Sequence, residues 1–328
     1  MIDDDPLWDP EAAPDAELVG LRAMLAPYSV AARGIARWPA LRIVRRRRSV
    51  GRWWPLAAAA VMLIVSGLHH HRLQWEAGRS WALDGPMRTL AEGQRIATGD
   101  AGTSIEVARI GRIELSPDSV LRLVETRTAH HRVDLEHGHL RARIWAPPGY
   151  FGLSDRHREI VDLGCDFEVW KQADGSGRAI VHSGWIAWRS GMDEQLVPAG
   201  FEVHFDGERI TLPLRMDAEP ALRQAMAAFE TQRLSPHGDH DAFARVADRV
   251  ADVAQDTDAI TLLSLLTEYP ELASGRLYPR LARALGVSVD PTHRRAWQTG
   301  SREAIDAWWA RLPVQPKRWW LNWRDAWA

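Results

Sequence analysis

Four consecutive arginines, Arg45 to Arg48, precede a stretch from Trp53 to His71 that holds no Asp, Glu, Lys or Arg. A charge-free run of that length must be buried in protein, lie against lipid or cross it, so it restricts the fold more than any other feature. As a helix rising about 1.5 Å per residue it covers about 28 Å, close to the roughly 30 Å hydrocarbon core of a bilayer. Its centre, Leu56–Leu68, is rich in alanine, and its apolar weight comes from Leu56, Val61, Leu63, Ile64, Val65 and Leu68. Those six contribute about −3 kcal/mol of insertion energy, which one central arginine would cancel. Trp53, Trp54 and Trp75 stand where an aromatic belt would, and Pro55 falls in the first turn, where its missing N–H costs little. The expectation is one transmembrane helix over residues 53–71, with a buried core helix as the competing reading. A cleaved secretory signal fits poorly, since His69-His70-His71 follows the run in place of a small-residue cleavage site.

Positive charge before the run sets the expected orientation. Arg45, Arg46, Arg47, Arg48 and Arg52 flank it on one side, and Arg72 and Arg79 on the other. The excess of basic residues places the N-terminus in the cytoplasm and the bulk of the chain beyond the bilayer. The rest of the composition is unremarkable in charge: 41 Lys and Arg balance 43 Asp and Glu, which argues against a direct nucleic-acid partner. The single cysteine, Cys165, rules out an intramolecular disulfide and a multi-cysteine metal site. Seventeen tryptophans imply extensive burial or partner surfaces.

Residues 1–52 form a short leading segment. Leu18, Leu21, Met24 and Leu25 recur at helical spacing, Asp15 and Glu17 suit the positive end of that helix, and Pro27 ends it. Three turns cannot build a core. Either the stripe meets a partner surface, or the segment is a mostly unfolded tail.

Between residues 83 and 212 short alternating runs are punctuated by turn residues. Ile105–Val107, Arg112–Leu115, Val120–Leu123, Arg132–Leu135 and Leu140–Ile144 read as strands, followed by Val161–Leu163, Phe167–Val169, Ala179–Val181, Trp185–Trp188 and Phe201–Val203. Turns are expected at Ala101-Gly102, Ser116-Pro117-Asp118, Glu136-His137-Gly138, Asp174-Gly175 and Pro198-Ala199-Gly200. The spacing suits an all-β sandwich or solenoid rather than a parallel α/β sheet.

Residues 217–328 read as an all-α domain of five helices. These are marked by Leu222, Ala225, Met226 and Phe229; by Phe243, Val246, Ala247, Val250 and Ala254; by Ile260–Leu266; by Leu277, Leu281 and Leu285, capped by Gly286; and by Ile305, Trp308, Trp309 and Leu312. Trp319, Trp323 and Trp327 form a further stripe that either docks on the bundle or faces a partner or lipid. The fold class is therefore membrane-anchored and multi-domain: one N-terminal transmembrane helix, an all-β domain and a C-terminal helical domain.

No sequence motif assembles an active site or holds a cofactor or metal. His130, His131, His137 and His139 read as polar residues around an exposed turn rather than as ligands. Cys165, inside a strand run, reads as a buried thiol.

The β region resembles the FecR domain of bacterial anti-sigma regulators. The residues that carry the likeness are Leu90–Asp100, Gly111–Leu123, Leu135-Glu136-His137-Gly138-His139-Leu140, Val161–Val169, His182–Ile186 and Val197–Gly200. Cys165 stands where the family has threonine, and the C-terminal helices replace a small α/β module. The resemblance implies an inner-membrane protein with an all-β FecR-type domain outside the cytoplasm and no enzymatic activity. It implies a cytoplasmic partner, a sigma factor of the extracytoplasmic-function type, contacted through Leu18, Leu21, Met24 and Leu25, with Leu7 and Trp8 as a second anchor. The other implied partners are the lipid bilayer and a periplasmic or outer-membrane protein. The alternative is an envelope scaffold with no sigma-factor role.

Overall fold

The computed structural model describes residues 16–28, 54–84, 89–155, 158–190, 193–206, 209–233, 240–313 and 315. The chain divides into two units, Met1–Leu63 and Ile64–Ala328. In the first, helix α1 (Ala16–Leu25) runs into a 3-10 turn at Ala26–Tyr28. Helix α2 (Trp54–Leu73) begins in that unit.

The expected membrane span is overturned. Among the described residues no helix is long and apolar enough to cross a membrane. The physical reason lies in α2 itself. Its uninterrupted apolar part, Leu56–Leu68, makes only about 20 Å of helix. Four consecutive alanines, Ala57 to Ala60, add little apolar surface, and the last turns are His69-His70-His71-Arg72. Of the residues expected to face lipid, Val61, Leu63, Ile64, Val65 and Leu68 are exposed, and the side chain of Leu56 lies outside what the structure describes. Arg45 to Arg48 and Arg52, the charges expected to orient the span, lie outside the described residues.

The second unit is built on sixteen strands: β1 (Trp81–Leu83), β2 (Thr89–Leu90), β3 (Arg95–Ala97), β4 (Thr103–Val107), β5 (Gly111–Leu115), β6 (Val120–Arg127), β7 (His130–Ile144), β8 (Phe151–Ser154), β9 (Arg158–Asp162), β10 (Asp166–Lys171), β11 (Gly177–Ser183), β12 (Trp185–Ser190), β13 (Asp193–Pro198), β14 (Phe201–Asp206), β15 (Arg209–Ile210) and β16 (Leu214–Arg215). The main path is β13-β12-β9-β8-β7-β10-β11-β14-β15. Every pairing is antiparallel except β7 with β8. At its start the unit is tied to the end of α2. Arg72 donates to the Arg109 carbonyl at 2.9 Å, and the Trp75 and Thr128 backbones exchange bonds with each other's groups.

Strand β7 organises the sheets. Its first half, to His137, pairs with β6 and β8; from Gly138 onward it pairs with β5 and β10. The transfer needs a local bend. The register slips between Val120↔His137 and Leu121↔Leu135, leaving Glu136 as an extra residue, and Gly138 adopts φ +105°. A Cβ at Gly138 would lie 2.5 Å from Ser119 Cα. The expected turn at Glu136-His137-Gly138 is thus a bulge inside one continuous strand, because glycine serves close approach there, not chain reversal. His131, expected near an exposed turn, is fully buried. Its Nδ1 lies 2.9 Å from Thr126 Oγ1, and that hydroxyl accepts from Trp81 Nε1 at 2.8 Å.

Two apolar cores result. One lies among the strands and holds Ile105, Ile113, Leu121, Leu140, Phe151 and Phe167. The other joins the outer face of β9, β12 and β13 to the helices α3 (Pro220–Arg233), α4 (His240–Val253), α5 (Ala259–Glu268), α6 (Leu277–Ala284), α7 (Pro291–Gln298) and α8 (Arg302–Trp309). Alternation along β12 serves both: Ile186 and Trp188 point to the first core, Trp185 and Ala187 to the second. Such a strand reads as an unbroken apolar run. Helix α5 is buried nearly all round, from Thr261 to Leu266. Helix α6 ends in a Schellman arrangement, Val287 N–H donating to the Ala282 carbonyl beside Gly286 at φ +63°. Polar links also cross from α3 to the sheet: Leu212 N–H donates to Glu230 at 2.9 Å and Arg233 donates to the Ile210 carbonyl at 2.8 Å.

Helix α7 is absent from the sequence reading, because a single buried residue, Trp297, gives it no periodic stripe. Its start is nonetheless well marked. Asp290 accepts from the N–H groups of Thr292 and His293, and Pro291 occupies the first helical position. Asp290→Ala is expected to cost about 1 kcal/mol of stability, read as a lower urea midpoint at unchanged slope.

Candidate functional site

Helix α1 carries the sequence-predicted partner residues. Glu17 sits in its first turn, where the backbone N–H groups favour negative charge. Leu21, Leu25 and Met24 are all more than half exposed, Met24 at 73%, and so is Val19. With about 100° of rotation per residue, Leu21 and Leu25 share one face and Met24 flanks it, while the side chain of Leu18 lies outside what the structure describes. Leu7 and Trp8 lie outside the described residues. Burying one such side chain would contribute about 1.5–3 kcal/mol.

The histidines expected around a turn are spread along β7. His139 stacks on Trp170 with ring centroids 4.4 Å apart, and its Nδ1 lies 2.7 Å from Ser116 Oγ. Glu168 sits 3.5 Å from His139 Nε2, 3.1 Å from His182 Nε2 and 3.4 Å from Arg141. Burial holds the His139 pKa below its ordinary value, against the pull of Glu168. Arg141 also forks onto Asp166, with both bonds at 2.8 Å. The outer face of β7 and β10 is therefore a ladder of opposed charges, in which His139 Nε2 is buried with no hydrogen-bond partner among the described residues. Among the described residues no group of three or more His, Cys, Asp or Glu side chains is placed to hold a metal ion.

Cys165 is buried, and its thiol donates to Asp162 Oδ1 at 2.6 Å. Burial, reinforced by Asp162, pushes the thiol well above its ordinary pKa. A thiol so held is not a nucleophile at neutral pH.

Two clefts stand out in the second unit. The larger, about 560 Å³, lies between α4 and α6 and is lined by opposed charges. Arg276 pairs with Asp252 and Arg280 with Asp256, each at 2.7 Å. The smaller, about 40 Å³, has Asp134, Asp155, Arg158 and Lys171 on apolar walls that include Trp188 and Phe205. Sequence reading missed it because its lining comes from six strands.

The residues that carry the FecR resemblance fall mainly in the first core and its turns: Leu90, Ile113, Leu121, Leu135, Leu140 and Phe167 are all buried. They specify folding rather than contact. No family model matches the chain. No curated protein matches it either. Among solved structures it is similar to two crystal structures of a "putative anti-sigma factor" from Parabacteroides distasonis ATCC 8503. The identity is 14% in both cases, over 48% of this chain and 75% or 74% of the other, with TM-scores of 0.33 and 0.32. So partial an overlap at so low an identity decides neither fold nor function.

Proposed function

We propose that the chain is a regulator that binds a sigma factor of the extracytoplasmic-function type through helix α1, with a non-catalytic role. The observation that carries this reading is the run of exposed apolar side chains on α1, Leu21, Met24 and Leu25 among them. The order of FecR-like motifs in the β region supports it. The proposal rests on contact by a short helix laid in a groove, a mode whose anchors recur three and four residues apart. It requires no crossing helix.

The test is co-purification of the chain with each extracytoplasmic-function sigma factor of the organism it comes from. Leu21→Asp is expected to weaken that complex by about thirtyfold or more, the effect of removing a central apolar anchor. Equal binding by the variant, or no binding of any sigma factor by the unaltered chain, sinks the proposal.

A further inference from the structure

The small cleft in the second unit has a polarity that its own residues do not complete. Arg158 enters it from the start of β9 with its side chain only 10% exposed. Its guanidinium lies 5.8 Å from the centre of the Trp188 ring and 5.9 Å from that of Phe205. Nη2 donates to Asp155 Oδ2 at 2.9 Å. Nη1 is buried and has no acceptor among the described residues. Trp188, which also lines the cleft, buries its Nε1 with no acceptor either. A buried donor without a partner costs about 1–3 kcal/mol, and more when charged, so native folds leave few of them. Two such donors on residues lining one cleft point to an acceptor that no described residue supplies.

The neighbouring charges define that acceptor. Lys171 Nζ lies 3.2 Å from Asp155 and 3.6 Å from Asp134. Asp134 also accepts from Arg122 at 2.8 Å. Within the lining Arg158 and Lys171 balance Asp134 and Asp155, and Arg122, reaching Asp134 from outside the lining, adds one positive charge, which leaves room for one negative charge and disfavours two. The space, about 40 Å³, admits only a few heavy atoms. Around it stand apolar side chains, Leu153 and Ile160 beside the two aromatic rings. The two oxygens of a planar monoanion satisfy Arg158 Nη1 and the indole N–H, and a short hydrocarbon stem matches the walls.

We propose that this cleft binds a small aliphatic monocarboxylate, its carboxylate accepting from Arg158 Nη1 and Trp188 Nε1 and its stem lying against the apolar walls. The site is independent of sigma-factor binding and can be tested without any partner.

The experiment uses the full-length chain and sodium propionate, observed by saturation-transfer NMR and by the shift of the thermal midpoint. For so few atoms the expected Kd is about 1 mM. Arg158→Met retains the apolar stem but no donor, and Trp188→Phe retains a ring but no N–H. Each is expected to weaken propionate by about tenfold, the loss of one good hydrogen bond to a charged group. Arg283→Ala, at the exposed end of the larger cleft, serves as the control and should bind normally. Circular dichroism confirms that each variant is folded; should Arg158→Met fail to fold, Trp188→Phe decides the matter. No response of the unaltered chain up to about 20 mM propionate overturns the proposal, that being weaker than one good contact implies. Undiminished binding by the folded variants, or tighter Arg158-dependent binding of inorganic phosphate, overturns it equally.

Discussion

Replacing Gly138 with alanine is expected to lower the stability of the second unit by about 2–5 kcal/mol, the sum of a forced positive φ and an overpacked contact. Both contributions are visible. The residue holds φ +105°, and a Cβ there would stand 2.2 Å from Ser119 Oγ, 2.4 Å from its Cβ and 2.5 Å from its Cα. Nor can Ser119 withdraw. It is fully buried, its Oγ accepts from His139 N–H at 3.0 Å, and its N–H donates to Thr98 Oγ1 at 2.9 Å. Urea denaturation of the full chain measures the loss as a fall in midpoint. Adding Ser119→Gly to the variant is expected to restore only a minor part, because the clash with Cα and the backbone strain both persist. Full recovery in the double variant, or a loss below about 1 kcal/mol in the single one, contradicts the bend as the cause.

A second large effect depends on pH. Burial, then the Arg132 charge next to it, holds His131 down at about 4 against an ordinary 6.5. A depressed folded value means that the unfolded chain takes up the proton first as pH falls. The stabilisation is therefore complete above pH 6.5, shrinks steadily as pH falls from 6.5 to about 4, and changes no further below that. The gap corresponds to about 3 kcal/mol. His131→Asn removes the titrating ring while keeping a polar partner for Thr126. His130 and His139 are also held low, so the informative quantity is the difference between the two stability curves. That difference should change across the window from pH 4 to 6.5; parallel curves refute the assignment.

What could be read from the sequence followed from how regular the burial is. Strand β5 alternates without a fault, Ile113 and Leu115 inward and Arg112 and Glu114 outward, and its letters alone mark it as a strand. Leu277 and Leu281, four residues apart and both fully buried, announce α6 in the same way. Reading failed where one residue type serves two physical ends. Gly138 follows Glu136-His137, a sequence typical of a chain reversal, yet it marks a close backbone approach that only the fold reveals. Ala57 to Ala60 suit any helix, so a run that lacks charge was weighed as one that fits lipid. On α1 the spacing of Leu18, Leu21 and Leu25 was legible because a single helix contains it. The cleft around Arg158 was not, since β-topology alone brings its residues together.

The face of β9, β12 and β13 that receives the helices has a bearing on how this architecture can be taken apart. Val161, Ala187 and Leu196 are buried in a core they share with the helices. A chain cut after Arg215 would keep every strand and still present a naked greasy wall, inviting self-association. The sheet is thus expected not to be a portable module, and strands and helices to melt as one piece.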